Sequence, residues 1–231
     1  MKNRIRILSM AIFLGILVLG GCMSEKEKVN PEPVVQSAAV VSDFDGNVYP
    51  TIRIGNQTWM AENLRSTHYS DGTPVDSQSY ENSEANADQY GRLYTREAIM
   101  RGASSSSNSP SGVQGIAPAG WHIPSREEWN QLLTTLGGHQ VAGGKLKELG
   151  PVHWAAPNTG ASNESLMAVL PAGMLLGGTT PQWLGTHAVF TTSEYNSREL
   201  FVVILYHDNE QAAIEGFFPG DAVSVRCVKN E

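Results

Sequence analysis

His122, Glu127 and Glu128 are the residues of this 231-residue chain best typed for acid–base chemistry. They lie in "GWHIPSREEW" (120–129), which also holds two of the five tryptophans and an arginine. An imidazole within reach of a carboxylate can pass a proton near neutral pH. A second group sits in "YHDNEQ" (206–211), where Asp208, Asn209 and Glu210 offer the carboxylate and amide oxygens that a hard cation such as calcium takes. Trp154, Trp183 and Tyr195 are the candidates for ring faces on which a sugar stacks, if they are exposed among polar groups.

The flanking sequence gives the first group structural work. Ser125 stands three residues before Glu128, the S-x-x-E pattern of a capping box. In that pattern the Ser hydroxyl accepts a backbone N–H and the Glu carboxylate reaches back to the cap. Trp129, Leu132, Leu133 and Leu136 follow at i, i+3, i+4 and i+7, and Gly137-Gly138 ends the run, so a helix is predicted over 126–136. Glu127 then lies about 100° round the helix from Glu128. Trp121 and Trp129 read as core anchors. His122 keeps no assigned partner.

The second group has two readings. Asp208, Asn209 and Glu210 could bind calcium as in lectin-type sites, where metal and sugar hydroxyls share ligands. The stretch also separates "LFVVILY" from "AAIEGFF", which makes it a hairpin turn. "EYNSRE" (194–199) is ambiguous in the same way. Asp43-x-Asp45-Gly46-Asn47 resembles the start of a calcium loop, but Val48 stands where glycine is needed and Ile54 where glutamate is needed. It reads as a turn. His153, His187 and His207 lack paired spacing, and no serine sits in G-x-S-x-G, so neither a zinc site nor a serine-hydrolase elbow is indicated.

The N-terminus carries an address. Lys2, Arg4 and Arg6 precede the apolar run "ILSMAIFLGILVLGG", which stops at Cys22. This is the layout of a secretory signal over 1–21. Leu19-Gly20-Gly21-Cys22 resembles a bacterial lipobox, which implies acylation of Cys22 (palmitate or a similar chain) and outer-membrane anchoring with possible surface exposure. An uncleaved anchor is the alternative, since the run is close to spanning length. Residues 22–41 read as lipidated Cys and tether. Loss of 1–21, with three basic and no acidic residues, takes the net charge from −7 to −10. An acidic globule of this kind has no footprint for nucleic acid, and membrane contact falls to the acyl chains. With Cys22 committed to lipid, Cys227 is alone, which excludes an intramolecular disulfide and a two-thiolate metal site.

Residues 42–231 form one domain by length. "DFDGNVYPTIRIGNQTWMAENL" (43–64) predicts a hairpin, and 66–89 a long polar excursion. "YGRLYTREAIMR" (90–101) predicts a short helix or a strand running into one, and 102–115 a Ser/Gly loop. A second short helix is expected over 144–150. "SLMAVLPAG", "AVFTTSE", "LFVVILYH" and "AVSVRCVK" predict strands, with "LFVVILYH" the most buried. Hairpin, helices, then strands give an α+β fold: a twisted antiparallel sheet with two or three short helices and long loops.

Six phrases in this order resemble the Fibrobacter succinogenes major paralogous domain: "DGNVYPTIRIGNQTWMAENL", "YGRLYT", "VQGIAPAGWHIPSREEWNQLLTTLGG", "LPAG", "FTTSEY" and "SVRCVK". The likeness covers about residues 42–229. More remotely, W-x-I-P-S-x-x-E-W and the terminal strand resemble the C-type-lectin-like group, which includes formylglycine-generating enzymes. The enzyme chemistry is not implied, because it uses a cysteine pair that this chain lacks. Many members of the resembled family carry a Cys where Ala117 stands, able to pair with the Cys at position 227. The expected function is a non-enzymatic envelope module that binds a glycan or another extracellular component, including an envelope protein. The alternatives are an adhesin-like structural subunit and a cryptic hydrolase. No cofactor is implied apart from calcium.

Overall fold

In "VYPTIRI" Tyr49 enters one core, and Ile52 and Ile54, two apart on the strand, enter another. The computed structural model describes residues 35–230; the predicted signal segment (1–21) and Cys22 lie outside the described residues. β1 (Val35–Ser42) and β2 (Val48–Ile54) pair antiparallel across the Asp43–Asn47 turn, and β3 (Gln57–Met60) returns after Gly55-Asn56. β1 falls within the stretch assigned above to the tether. Its pairs run from Val35 with Ile54 to Ser42 with Val48, so the free edge of β2 gives a linker-like composition its strand partners.

Four helices are present among the described residues: α1 (Glu84–Tyr90), α2 (Arg96–Met100), α3 (Arg126–Thr135) and α4 (Ala142–Leu146). The two-residue strand β4 (Trp121–His122) leads into α3. α1 lies almost wholly within the stretch 66–89 expected to be a polar excursion; the Ser83 side chain starts it by accepting the Asn86 N–H. α4 begins and ends earlier than 144–150. Its Gly143 lies against a neighbouring backbone, where a Cβ would come 2.1 Å from the Gln211 carbonyl oxygen, and Lys147 turns extended to end it.

The later strands are β5 (Met174–Leu176), β6 (Thr180–Gln182), β7 (His187–Tyr195), β8 (Leu200–Tyr206), β9 (Ala212–Phe217) and β10 (Val228–Lys229). They complete antiparallel sheets in the orders β1-β2-β3-β10-β4, β5-β6 and β7-β8-β9. The architecture is α+β. "SLMAVLPAG" does not form the predicted strand. Leu166 and Ala168 adopt left-handed backbone (φ 58° and 42°), which ends any ladder there. "AVSVRCVK" pairs mostly through single bridges before β10.

β8 explains the two cores. Leu200, Val202 and Ile204 enter one with Tyr49, Met60, Ile99, Trp121 and Cys227. Val203 and Leu205 enter the other with Ile52, Trp59, Trp129, Leu132 and Phe190. A strand buried on both faces reads as an unbroken apolar run. Each such side chain contributes about 1.5–3 kcal/mol on burial. The Ser-rich loop is sewn to the domain: Ser193 Oγ donates to the Ser106 carbonyl at 2.7 Å and Ser111 Oγ to that of Ile123 at 2.5 Å.

Candidate functional site

The capping box is complete. Ser125 Oγ accepts the Glu128 N–H at 3.2 Å, and Glu128 Oε2 accepts the Ser125 N–H at 3.0 Å. The same Oε2 accepts the Ser111 N–H, which fixes the serine loop on the helix start. Glu128 Oε1 takes the remaining bond, from His122 Nε2 at 2.6 Å. His122 Nδ1 lies 2.6 Å from Asn230 Oδ1, so each ring nitrogen has an acceptor oxygen in reach, an arrangement that favours the imidazolium. Burial works against that charge. The Glu128 carboxylate and Asn230 outweigh it and raise the pKa of His122 above its ordinary value. Trp129 Nε1 donates to the Thr191 carbonyl, and its ring packs 4.6 Å from that of Trp59. Trp121 is buried in the first core. Glu127 is outside this cluster and accepts a bond from Gln131.

The 207–211 turn connects β8 to β9. Asp208 and Glu210 are exposed, and the Asn209 amide folds back on Asp208 and on the Gln211 N–H. Beneath the turn the wholly buried Lys147 donates to the carbonyls of Thr159, Tyr206 and Asn209 at 2.7–2.9 Å. Burial lowers Lys147 to about 8, against the pull of Asp208 and Glu210. An ammonium therefore takes the oxygens that face inward. No group of three His, Cys, Asp or Glu among the described residues is placed to hold a metal ion. At the other acidic turn, Asp43 accepts from Asn47 and Tyr49. Burial opposes ionisation of Asp45, but bonds from the Thr67 N–H and from His68 hold it at about 2.

The three aromatic candidates separate. Trp154 is 1% exposed, donates to the Val169 carbonyl and lies over Lys147, so it is a core residue and cannot stack on an external sugar. Tyr195 is half-buried; its hydroxyl donates to the Ala103 carbonyl and its ring carries Arg96. Trp183 alone of the three presents a free face, at 40% exposure. Its backbone is left-handed (φ 66°), a costly conformation for a bulky residue. The Trp183 carbonyl accepts both the Thr186 and His187 N–H groups, which closes a tight turn. Gly173 makes room for that turn, since a Cβ there would lie 2.3 Å from the Gln182 carbonyl oxygen.

His187, Tyr206 and Phe217 complete the platform. The Trp183 ring stacks on His187 (centroids 4.7 Å apart, planes 29°) and meets the edge of Phe217 at 5.9 Å. Tyr206 packs edge-on to His187 and donates to the exposed Glu215 at 2.8 Å. Burial, with His207 close by, lowers the pKa of His187, so its ring is neutral at neutral pH. Sequence reasoning missed all three partners, because His187 and Tyr206 meet only through the β7–β8 register. The result is one exposed indole, backed by the His187 ring and edged by Phe217, in a cluster that also holds the Tyr206 phenol and the Glu215 carboxylate.

The phrases that fasten this framework are also its label. The Fibrobacter succinogenes major domain model matches residues 52–229. The chain belongs to that family. The match runs from β2 to β10 and so takes in the capping box, the 207–211 turn and the Trp183 platform. No curated protein and no solved structure matches the chain. No helix among the described residues is long and apolar enough to cross a membrane.

Proposed function

We propose that this member of the Fibrobacter succinogenes major domain family is a non-enzymatic, outer-membrane lipoprotein, anchored through Cys22, whose domain binds a glycan on the Trp183 platform. The observation that carries the reading is an exposed tryptophan held in a strained backbone and stacked on a neutral histidine. A bulky residue at φ 66° is costly, and strained residues of this kind cluster at binding and active sites. Sugar C–H faces pack on such a ring, and Glu215 with Tyr206 offers hydrogen bonds to hydroxyls. Calcium is not required on this reading, since Lys147 already fills the basket under the 207–211 turn. A C-type-lectin-like fold is supported by the return of β10 to pair with β3 and β4, which brings the end of the domain to its beginning.

A glycan array probed with the purified protein, with and without calcium, tests the proposal. Saturable binding that survives a chelator is expected. No hit in either condition would sink it and favour a structural or adhesin-like subunit.

A further inference from the structure

A groove of about 480 Å³ opens between the end of α1 and the 166–170 segment. It shares no lining residue with the Trp183 platform. At its floor lies Arg226, the charged residue of "SVRCVK", 2% exposed. Its Nε donates to Asn63 Oδ1 at 2.7 Å and its Nη1 to the Met167 carbonyl at 3.1 Å. A guanidinium has five N–H donors. Nη2 has no hydrogen-bond partner among the described residues, and the guanidinium has no ion-pair partner among them. The adjacent acid, Glu62, is engaged by Arg65 at 2.9 Å.

The arginine is held in place from several sides. Asn63, which orients Nε, itself donates to the Tyr90 carbonyl and Ser224 Oγ. The guanidinium carbon lies 5.4 Å from the centroid of the Phe190 ring. Leu166 and Ala168, both left-handed, form part of the wall, with Ile52 and Leu170 adding apolar surface. Glu62 acts on Arg226 across the groove but does not pair with it directly; a buried cation with no direct ion pair is costly, and an arginine fork matches a carboxylate in plane and spacing. A positioned, under-paired guanidinium at the base of a groove of mixed lining, with apolar walls and with Glu62, Arg65, Asp88 and Glu148 around it, offers such a group a fork.

We propose that this groove binds a small carboxylate, whose oxygens accept from the free N–H groups of Arg226. Two sources share that chemistry: a hexuronic sugar acid, and an amino acid or peptide terminus. Asp88, exposed at the rim, separates them, because it repels a plain acid and attracts an ammonium.

The test is an amide-resolved NMR titration of the full chain with sodium D-glucuronate and with L-alanine, against D-glucose and L-alaninamide. Saturable shifts at Asn63, Gly91, Met167 and Arg226 are expected with at least one acid and with neither control. Asp88→Asn should tighten glucuronate and loosen alanine, each by about threefold, and so name the source. Arg226→Lys keeps the charge but loses the fork, and should weaken binding at least about tenfold. Should that variant not fold, the wild-type contrast between each acid and its neutral counterpart still decides. Absence of saturable shifts with both acids, or equal shifts with the controls, overturns the proposal. Trp183→Asn should leave the titration unchanged, which separates this site from the aromatic platform.

Discussion

His122 Nε2 and Glu128 Oε1 stand 2.6 Å apart, with side chains only 2% and 4% exposed. This pair joins β4 to the cap of α3, and through Asn230 it reaches the end of β10. One carboxyl group thus closes a capping box, pins the serine loop and holds a buried imidazole. The stretch best typed for acid–base catalysis is spent on holding three segments together.

That arrangement makes stability depend on pH in a defined sense. The pKa of His122 is raised in the fold, so its contribution is complete below the ordinary value of 6.5 and is lost as pH rises through the raised value. Urea melts between pH 5 and 9 should show a fall on the alkaline side of 6.5. In His122→Leu the part of that slope carried by the imidazole should be lost, and the protein should be less stable by about 3–5 kcal/mol at pH 6, because the buried Glu128 carboxyl loses its partner. An unchanged slope in the variant would assign the pH dependence elsewhere.

Lys147 is the second buried charge with a structural task. Lys147→Met orphans the carbonyls of Thr159, Tyr206 and Asn209. Each unsatisfied buried acceptor costs about 1–3 kcal/mol, so a loss near 3 kcal/mol or more is expected, a drop of roughly 10 °C in melting temperature. The wild-type melt should be indifferent to EDTA. A calcium-dependent rise in melting temperature would show that the turn still recruits a cation beside the lysine.

Local pattern carried the parts of this molecule that local pattern determines. The S-x-x-E spacing and the Trp129–Leu136 stripe gave α3 to within a residue, and the unbroken "LFVVILY" gave β8. Long-range register was not legible. Nothing near Trp183 in the chain announces Tyr206 or Phe217, and nothing near Arg226 announces Asn63. Trp154 looked as exposed as Trp183 in sequence, because both follow polar or small residues; only the packing around Lys147 and Val169 separates them. β1 was hidden because "VQSAAVVS" has the composition of a linker until the edge of β2 lies beside it.

Cys227 and Ala117 are both fully buried in the same core, and burial pushes the Cys227 thiol well above its ordinary range. The thiol behaves as a small apolar group. Ala117→Cys is expected to form a disulfide with Cys227 when the protein matures under oxidising conditions. The closed loop exceeds 100 residues, so an unstrained bridge would stabilise by a few kcal/mol, about 2–4. Thiol titration under denaturing, non-reducing conditions checks it: neither of these two cysteines should react. Full reactivity of both would mean that the geometry does not permit the bridge.

Trp183→Asn separates a structural from a binding role for the platform. Asparagine tolerates left-handed backbone better than tryptophan, so the substitution relieves strain at φ 66° while removing a ring that is already 40% exposed. The relieved strain offsets part of the lost packing against His187 and Phe217, and the melting temperature should move by no more than about 4 °C. Glycan binding on the array should fall below detection, because the stacking face is gone while Glu215 and Tyr206 are intact. Trp183→Phe, which keeps a smaller ring, should retain part of it. If Trp183→Asn instead melts far lower and binds as before, the tryptophan is a packing element and the glycan surface lies elsewhere on the domain.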